Sequence, residues 1–277
     1  MTTKSNLHTH SVFCDGKNTI EEMIQAAIRA GFVSLGFSGH APTHFQDDDC
    51  QITDIDGYFS ELDAMKTRYA GTIEIFKGLE LESRVLGGSH PTIDPRCDYT
   101  IGSDHLFWTK KGPFSVDYTP QEWLDALKAT GSVEKLIECY FEELVSFANE
   151  VPFDIIGHVD LYTKFNEQLH LFDDTEPWYT KMALHYIEAL ARTGKIFEVN
   201  TGAIGKKYRT TQYPAVFILR RLLELKAPII ISSDSHSVDT ITCHFEETEK
   251  LLRDIGFTEQ MRLTSNGFVS VPLRSLD

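Results

Sequence analysis

The stretch PIIISSDSH, residues 228–236, decides the fold. Its first half is apolar and β-branched, the composition of a strand buried on both faces. Its second half turns abruptly to Asp234, Ser235 and His236, groups that carry charge or hold metal. The same pattern recurs along the chain. Strands are expected at Val33–Ser38, Thr72–Lys77, Tyr99–Gly102, Phe153–Ile156, Lys195–Val199 and Pro228–Ser232, with a short extended segment at Asn6–Leu7 opening the series. Helical patterns lie between them at Thr19–Ala30, Gly57–Tyr69, Pro120–Lys128, Val133–Asn149, Trp178–Arg192 and Tyr213–Leu225, and a last one covers Phe245–Asp254. Regular alternation of strand and helix implies parallel strands joined by crossover helices. Seven such units with apolar strands predict a closed α/β barrel, and the absence of any Gly-, Ser- or Pro-rich linker predicts a single domain over residues 1–277.

Several boundaries have local causes. Thr19 with Glu22 forms a capping-box pattern, and Gly31, Gly194 and Gly256 follow helices as stops. Pro214 is expected in the first turn of the Tyr213 helix, where its missing N–H costs nothing. The irregular stretches Ala41–Asp56, Ser83–Asp98 and Phe165–Glu176 read as loops over one barrel end.

Bulk properties narrow the partners. A formal net charge of −15 opposes a nucleic-acid backbone, so the expected partner is a small molecule. Five cysteines without a CxxC pair predict free thiols in a reducing compartment. The N-terminus lacks the apolar stretch of a signal peptide, and no run approaches membrane-spanning length. A cytoplasmic protein without membrane partners is the expectation.

The chemistry follows from the residues after each strand. They are His8-Thr9-His10 and then Asp15, Ser38-Gly39-His40, Gly78-Leu79-Glu80, Gly102-Ser103-Asp104-His105, Gly157-His158 and Asp234-Ser235-His236. Parallel strands point their C-terminal ends at one barrel mouth, so residues far apart in sequence arrive in one small volume. Within HTH and DSH, extended backbone puts both ends of each triplet on one face. A lone HxH arises by chance; six strands of seven ending on such groups do not. Imidazole and carboxylate suit zinc, iron and manganese alike. Nine groups exceed the needs of one tetrahedral ion, so two or three clustered divalent ions are expected. His44, His90, His170, His185 and His244 lack this placement and read as loop or surface residues.

The ordered set HTHxxxxD, SGH, GLE, GSxH, GHVD and SDSH, from His8 to His236, resembles the PHP (polymerase and histidinol phosphatase) superfamily. The stretches HTHSVFCDG, IGSDHLF, IIGHVDLYTKF, EVNTGAIGKKYR and ISSDSH resemble its histidinol-phosphate phosphatases in particular. The resemblance implies a distorted (β/α)7 barrel with up to three metal ions. By the family's pattern, His8, His10, Glu80 and Asp234 would hold the first ion. Glu80, bridging, would hold the second with His105 and His158, and Asp15, His40 and His236 would hold the third. Where the family often carries arginine, near Tyr162–Lys164, this chain has a lysine.

The reaction expected from the resemblance is hydrolysis of L-histidinol phosphate to L-histidinol and phosphate, with Asp234 and Glu80 as catalytic residues. A hydroxide bridging two ions would attack phosphorus in line with the leaving alkoxide. Arg209, then Lys164, are the expected phosphate partners, because a guanidinium is the better bidentate donor. Lys206 and Lys207 read as a solvated cluster, as do Asp47, Asp48 and Asp49, and Arg84 has only its position after a strand to recommend it. Another PHP phosphoesterase, acting on a different small monoester or a nucleotide, is the alternative. An amidohydrolase-type barrel is disfavoured by the lack of a lysine before GSDH, and a silent metal-binding module by the full ligand set.

Overall fold

A computed structural model describes residues 4–45, 49–109 and 112–274. The chain runs β1 (Ser5–Asn6), α1 (Ile20–Arg29), β2 (Ser34–Phe37), α2 (Ile55–Arg68), β3 (Glu74–Glu82) and β4 (Tyr99–Ser103). An antiparallel pair, β5 (Leu106–Thr109) and β6 (Gly112–Ser115), comes next, then α3 (Pro120–Thr130), α4 (Val133–Glu150) and β7 (Ile155–Ile156). The second half holds α5 (Asn166–Leu169), α6 (Pro177–Ala191), β8 (Ile196–Asn200), α7 (Gly202–Gly205), α8 (Val216–Glu224), β9 (Ile229–Ser232) and α9 (Phe245–Ile255). A C-terminal hairpin, β10 (Glu259–Thr264) and β11 (Gly267–Pro272), ends the fold.

Seven strands pair in parallel in the order β1-β2-β3-β4-β7-β8-β9. The sheet closes where Thr9 bridges Ser235: His10 N donates to the Ser235 carbonyl at 2.8 Å, and Ser235 N donates to the His8 carbonyl at 3.1 Å. This is the barrel expected from the sequence. The capping box of α1 forms as its sequence predicts, Glu22 N on the Thr19 hydroxyl and Thr19 N on the Glu22 carboxylate.

Strand alternation separates two apolar regions. On β3, Ile75, Leu79 and Leu81 pack against the surrounding helices, whereas Phe76 faces the barrel interior with Leu7, Tyr99, Ile101, Ile155, Ile196 and Ile230. Gly78 leaves room for Tyr99, since a Cβ there would come within 2.5 Å of the tyrosine ring. The Tyr99 hydroxyl crosses the interior to donate to the Leu7 carbonyl. Leu263 of β10, with Met261 and Phe268, closes the N-terminal end.

Four expectations need correction. The third strand runs on to Glu82, so Glu80 lies on it and not after it. The helix expected at Tyr213 begins at Val216, because Tyr213 is held extended by two backbone hydrogen bonds to Asn200, which leaves Pro214 ahead of the helix. Asp234 is not extended: its φ of 46° turns the chain at the end of β9. Neither hairpin was expected, since both are short and built from pairings that periodicity does not reveal.

Candidate metal centre

The nine residues gather at the C-terminal ends of the strands, around Glu80. One of its oxygens lies 3.1 Å from His8 Nε2, 3.1 Å from His40 Nδ1 and 3.5 Å from His10 Nε2. The other lies 3.1 Å from His158 Nε2 and 3.5 Å from His105 Nε2. Asp234 Oδ1 stands 3.4 Å from His10 Nε2, 3.7 Å from His8 Nε2 and 3.4 Å from His236 Nδ1. Asp15 reaches His236 Nε2 at 3.0 Å, His10 Nδ1 at 3.4 Å and His40 Nε2 at 3.7 Å. The groups fall into overlapping sets with ligand atoms within 4.8 Å of one another, among them His8–His10–Glu80, His8–His158–Asp234, His40–Glu80–His105 and His10–Asp15–His40–His236. A cavity of about 790 Å³ opens over Asp15, His40, Glu80, His105, His158 and Asp234.

The donors fit divalent metal. His8 Nε2 and His10 Nε2 are buried without a hydrogen-bond partner, an arrangement that costs free energy unless a ligand engages them. Mixed imidazole and carboxylate is the donor chemistry of zinc, manganese and iron.

Charge within the cluster divides by environment. Burial disfavours the charged form of His8, but Glu198, Glu80 and Asp234 override it and carry its pKa well above the usual imidazole range. His105, half-buried, is raised to about 10 by Glu80 and Glu82 against the cost of its desolvation. His40 and His236 go the other way, to about 3 and about 4, because burial dominates and neighbouring cations repel a further charge. Burial opposes ionisation of Glu80 and Asp234, yet the surrounding histidines, and Lys206 beside Asp234, hold both well below the carboxylate range.

The expected phosphate partners separate. Lys164 lines the cavity, its ammonium 2.6 Å from the Asp117 carbonyl, 3.2 Å from the Asp117 carboxylate and 4.6 Å from the centre of the Tyr208 ring. Arg209 is not among the cavity's lining residues. Its guanidinium bonds the Thr163 hydroxyl and Thr211 Oγ1, lies 4.9 Å from the centre of the Tyr213 ring, and is 9% exposed. Lys206, read from sequence as solvated, lines the cavity with its ammonium 3.4 Å from Asp234 Oδ1 and its side chain one-third exposed (33%). Lys207 is exposed. Arg84 pairs with Glu143 and the Gly88 carbonyl, away from the cavity lining. Asp49 lines the cavity, and Asp47 and Asp48 lie outside the described residues.

Sequence reading missed two carboxylates behind the cluster. Glu198 Oε1 lies 2.6 Å from His8 Nδ1, and Glu82 Oε2 lies 2.9 Å from His105 Nδ1. A signal existed for each: a lone acid in the apolar strand IFEVN, and a second acid two residues beyond Glu80 on the same strand face.

The PHP domain family matches residues 6–202 of the chain. This protein belongs to the PHP family. A probable histidinol-phosphatase of Schizosaccharomyces pombe is 29% identical over 272 residues, 91% of this chain and 86% of its own length. The histidinol-phosphatase of Bacillus subtilis is 24% identical, covering 88% of this chain and 97% of its own. The fold is shared with the histidinol phosphate phosphatase of Lactococcus lactis, whose crystal structure is a complex with zinc, L-histidinol and phosphate. That structure superimposes with a TM-score of 0.74 at 19% identity, covering 96% of this PHP protein and 99% of the other chain. A metal-binding phosphatase of the PHP kind is the activity that family and relatives support together. Among the described residues, no helix is long and apolar enough to cross a membrane, and Cys14, Cys97, Cys139 and Cys243 are free thiols.

Proposed function

We propose that this protein hydrolyses L-histidinol phosphate to L-histidinol and phosphate with two or three divalent ions held by the cluster. The observation that carries the reading is Glu80, buried at 2% exposure with five histidines around its two oxygens, under a cavity wide enough for a small phosphate ester. Zinc, manganese and iron all suit these donors. In this reading His8, His10, Glu80 and Asp234 hold one ion, Glu80, His105 and His158 a second, and Asp15, His40 and His236 a third. Ions so held supply a water acidified for attack and positive charge against the phosphoryl oxygens.

The chain's own groups do the rest. Lys206 directs its ammonium at the cavity beside Asp234, where it stabilises negative charge building on a phosphoryl oxygen. Lys164, tethered to Asp117, places a second ammonium on the same cavity. Asp234 Oδ1 accepts a hydrogen bond from the attacking water and so orients it. Arg209, committed to Thr163, Thr211 and Tyr213, braces the wall that carries Lys164.

The test is phosphate release from L-histidinol phosphate by metal-loaded protein, beside generic phosphomonoesters and the Asp234→Asn variant. We expect strong preference for histidinol phosphate and a loss of at least about a hundredfold in kcat in the variant. Activity confined to other esters, still dependent on Asp234, would replace the substrate by another small phosphate monoester. Silence on every ester with metal bound would overturn the enzyme.

A further inference from the structure

Glu198 projects from β8 into the barrel interior and is 1% exposed. Besides His8 Nδ1, it takes the Ser232 hydroxyl, the His158 backbone N–H at 2.8 Å and Asn200 Nδ2 at 2.9 Å. The Asn200 amide has a fixed sense, because its own oxygen accepts from Gly202 N at 2.7 Å. Its nitrogen therefore donates to Glu198, as the His158 N–H must. Glu82, at 7% exposure, accepts from the backbone N–H groups of Ser83 at 3.0 Å, His105 at 3.1 Å and Leu106 at 3.3 Å. Around both carboxylates the fixed neighbours are donors, and an ionised carboxylate is an acceptor only.

The consequence falls on the histidines. Each of His8 and His105 presents Nδ1 to one of these acceptors, so Nδ1 keeps a hydrogen whether the ring is charged or neutral, and Nε2, on the far side of the ring, is the nitrogen that gives up its proton to metal. On that side His8 meets Glu80 at 3.1 Å, and His105 meets the second oxygen of Glu80 at 3.5 Å. Neither His40 nor His158 has such support: His40 turns Nδ1 to Glu80 itself, and His158 Nδ1 is buried without a partner.

We propose that Glu198 and Glu82 are positioning residues that fix the ring orientation and tautomer of His8 and His105, so that two metal ligands on opposite oxygens of Glu80 are set before metal arrives. The proposal rests on the reading that His8 and His105 bind metal. A carboxylate behind a ligating imidazole also raises the basicity of the ligand nitrogen, and its loss typically weakens metal binding tenfold to a hundredfold. Glutamine is a severe substitute here, because its NH2 faces groups that also donate.

The experiment titrates zinc alone into metal-free protein against a chromophoric chelator, for wild type, Glu198→Gln and Glu82→Gln. We expect each variant to lose roughly tenfold to a hundredfold in zinc affinity, with unchanged stoichiometry. Long-range nitrogen–proton NMR spectra of the zinc-loaded wild type should show His8 and His105 with the hydrogen on Nδ1 and zinc on Nε2. Folded variants that keep wild-type zinc affinity, or wild-type rings with the hydrogen on Nε2, overturn the proposal. If a variant fails to fold, the wild-type spectrum alone decides. A wild type that binds no zinc overturns the underlying metal reading instead.

Discussion

At the floor of the barrel, Phe76, Ile196 and Ile230 meet Leu263 of the C-terminal hairpin in a purely apolar plug. Two to four residues further along the same strands stand Glu80, Glu198 and Asp234, in surroundings that are nearly as buried. The interior thus holds hydrocarbon at one end and paired charge at the other, with Tyr99 between. The difference teaches how each end is satisfied. The floor gains from removing apolar area from water and needs no geometry beyond fit. The mouth is stable only while every buried charge keeps its partner, and it leaves His8 Nε2 and His10 Nε2 unsatisfied until a ligand arrives.

The largest expected effect tests whether the two ends are independent. Ile230→Ala empties part of the floor and should destabilise the protein by about 2–5 kcal/mol. Zinc stoichiometry should be unchanged, because Ile230 is none of the nine ligand residues, although it stands in register beside Glu198 on β8. Denaturant unfolding and zinc titration of one preparation check this. A variant that melts early and also loses zinc would join the two ends into one cooperative unit.

A second prediction sharpens the contrast through pH. In the metal-free protein burial works against charge on His8, His10 and His105, yet their acidic neighbours, and Cys14 beside His10, keep them protonated near neutrality. Zinc must displace those protons, so loading at pH 7 releases them. Affinity should rise with pH by about tenfold per unit for each proton displaced. Calorimetry in two buffers of different ionisation enthalpy measures the release, and heats independent of buffer would mean the rings are already neutral.

The smallest effect lies between the two ends. Tyr99→Phe removes the hydroxyl that donates to the Leu7 carbonyl and should cost about 1 kcal/mol. It should leave phosphatase kcat and zinc affinity as they were. A change in either would show that the interior floor positions His8, one residue beyond Leu7.

The barrel and the membership of the cluster were legible because both depend on repetition. Apolar strands recur at helix-separated intervals, and parallel strands send whatever follows them to one mouth. His8, His10, Glu80, His105, His158, Asp234 and His236 needed no more than that rule. The hairpins were not legible, since β5–β6 and β10–β11 are pairings between segments that carry no long periodic pattern. Glu82 and Glu198 were visible as acids but not as partners of particular histidines, because partnership is a distance across strands.

Lys206 and Arg209 mark the limit most clearly. Both follow β8 within one short basic run, and charge chemistry alone favours the guanidinium for phosphate. The path of the loop separates the two: α7 turns the chain, Tyr208 N and Arg209 N fold back onto the Ala203 carbonyl, and the guanidinium lands on Thr163 in the wall. Lys206, left at the turn, faces Asp234. The sequence by itself determined which residues reach the mouth of the barrel, because strand direction is a property of the repeating pattern. Only the tertiary structure decided which cation faces the cavity and which histidines have a carboxylate behind them, because those depend on contacts between residues 23 to 190 positions apart.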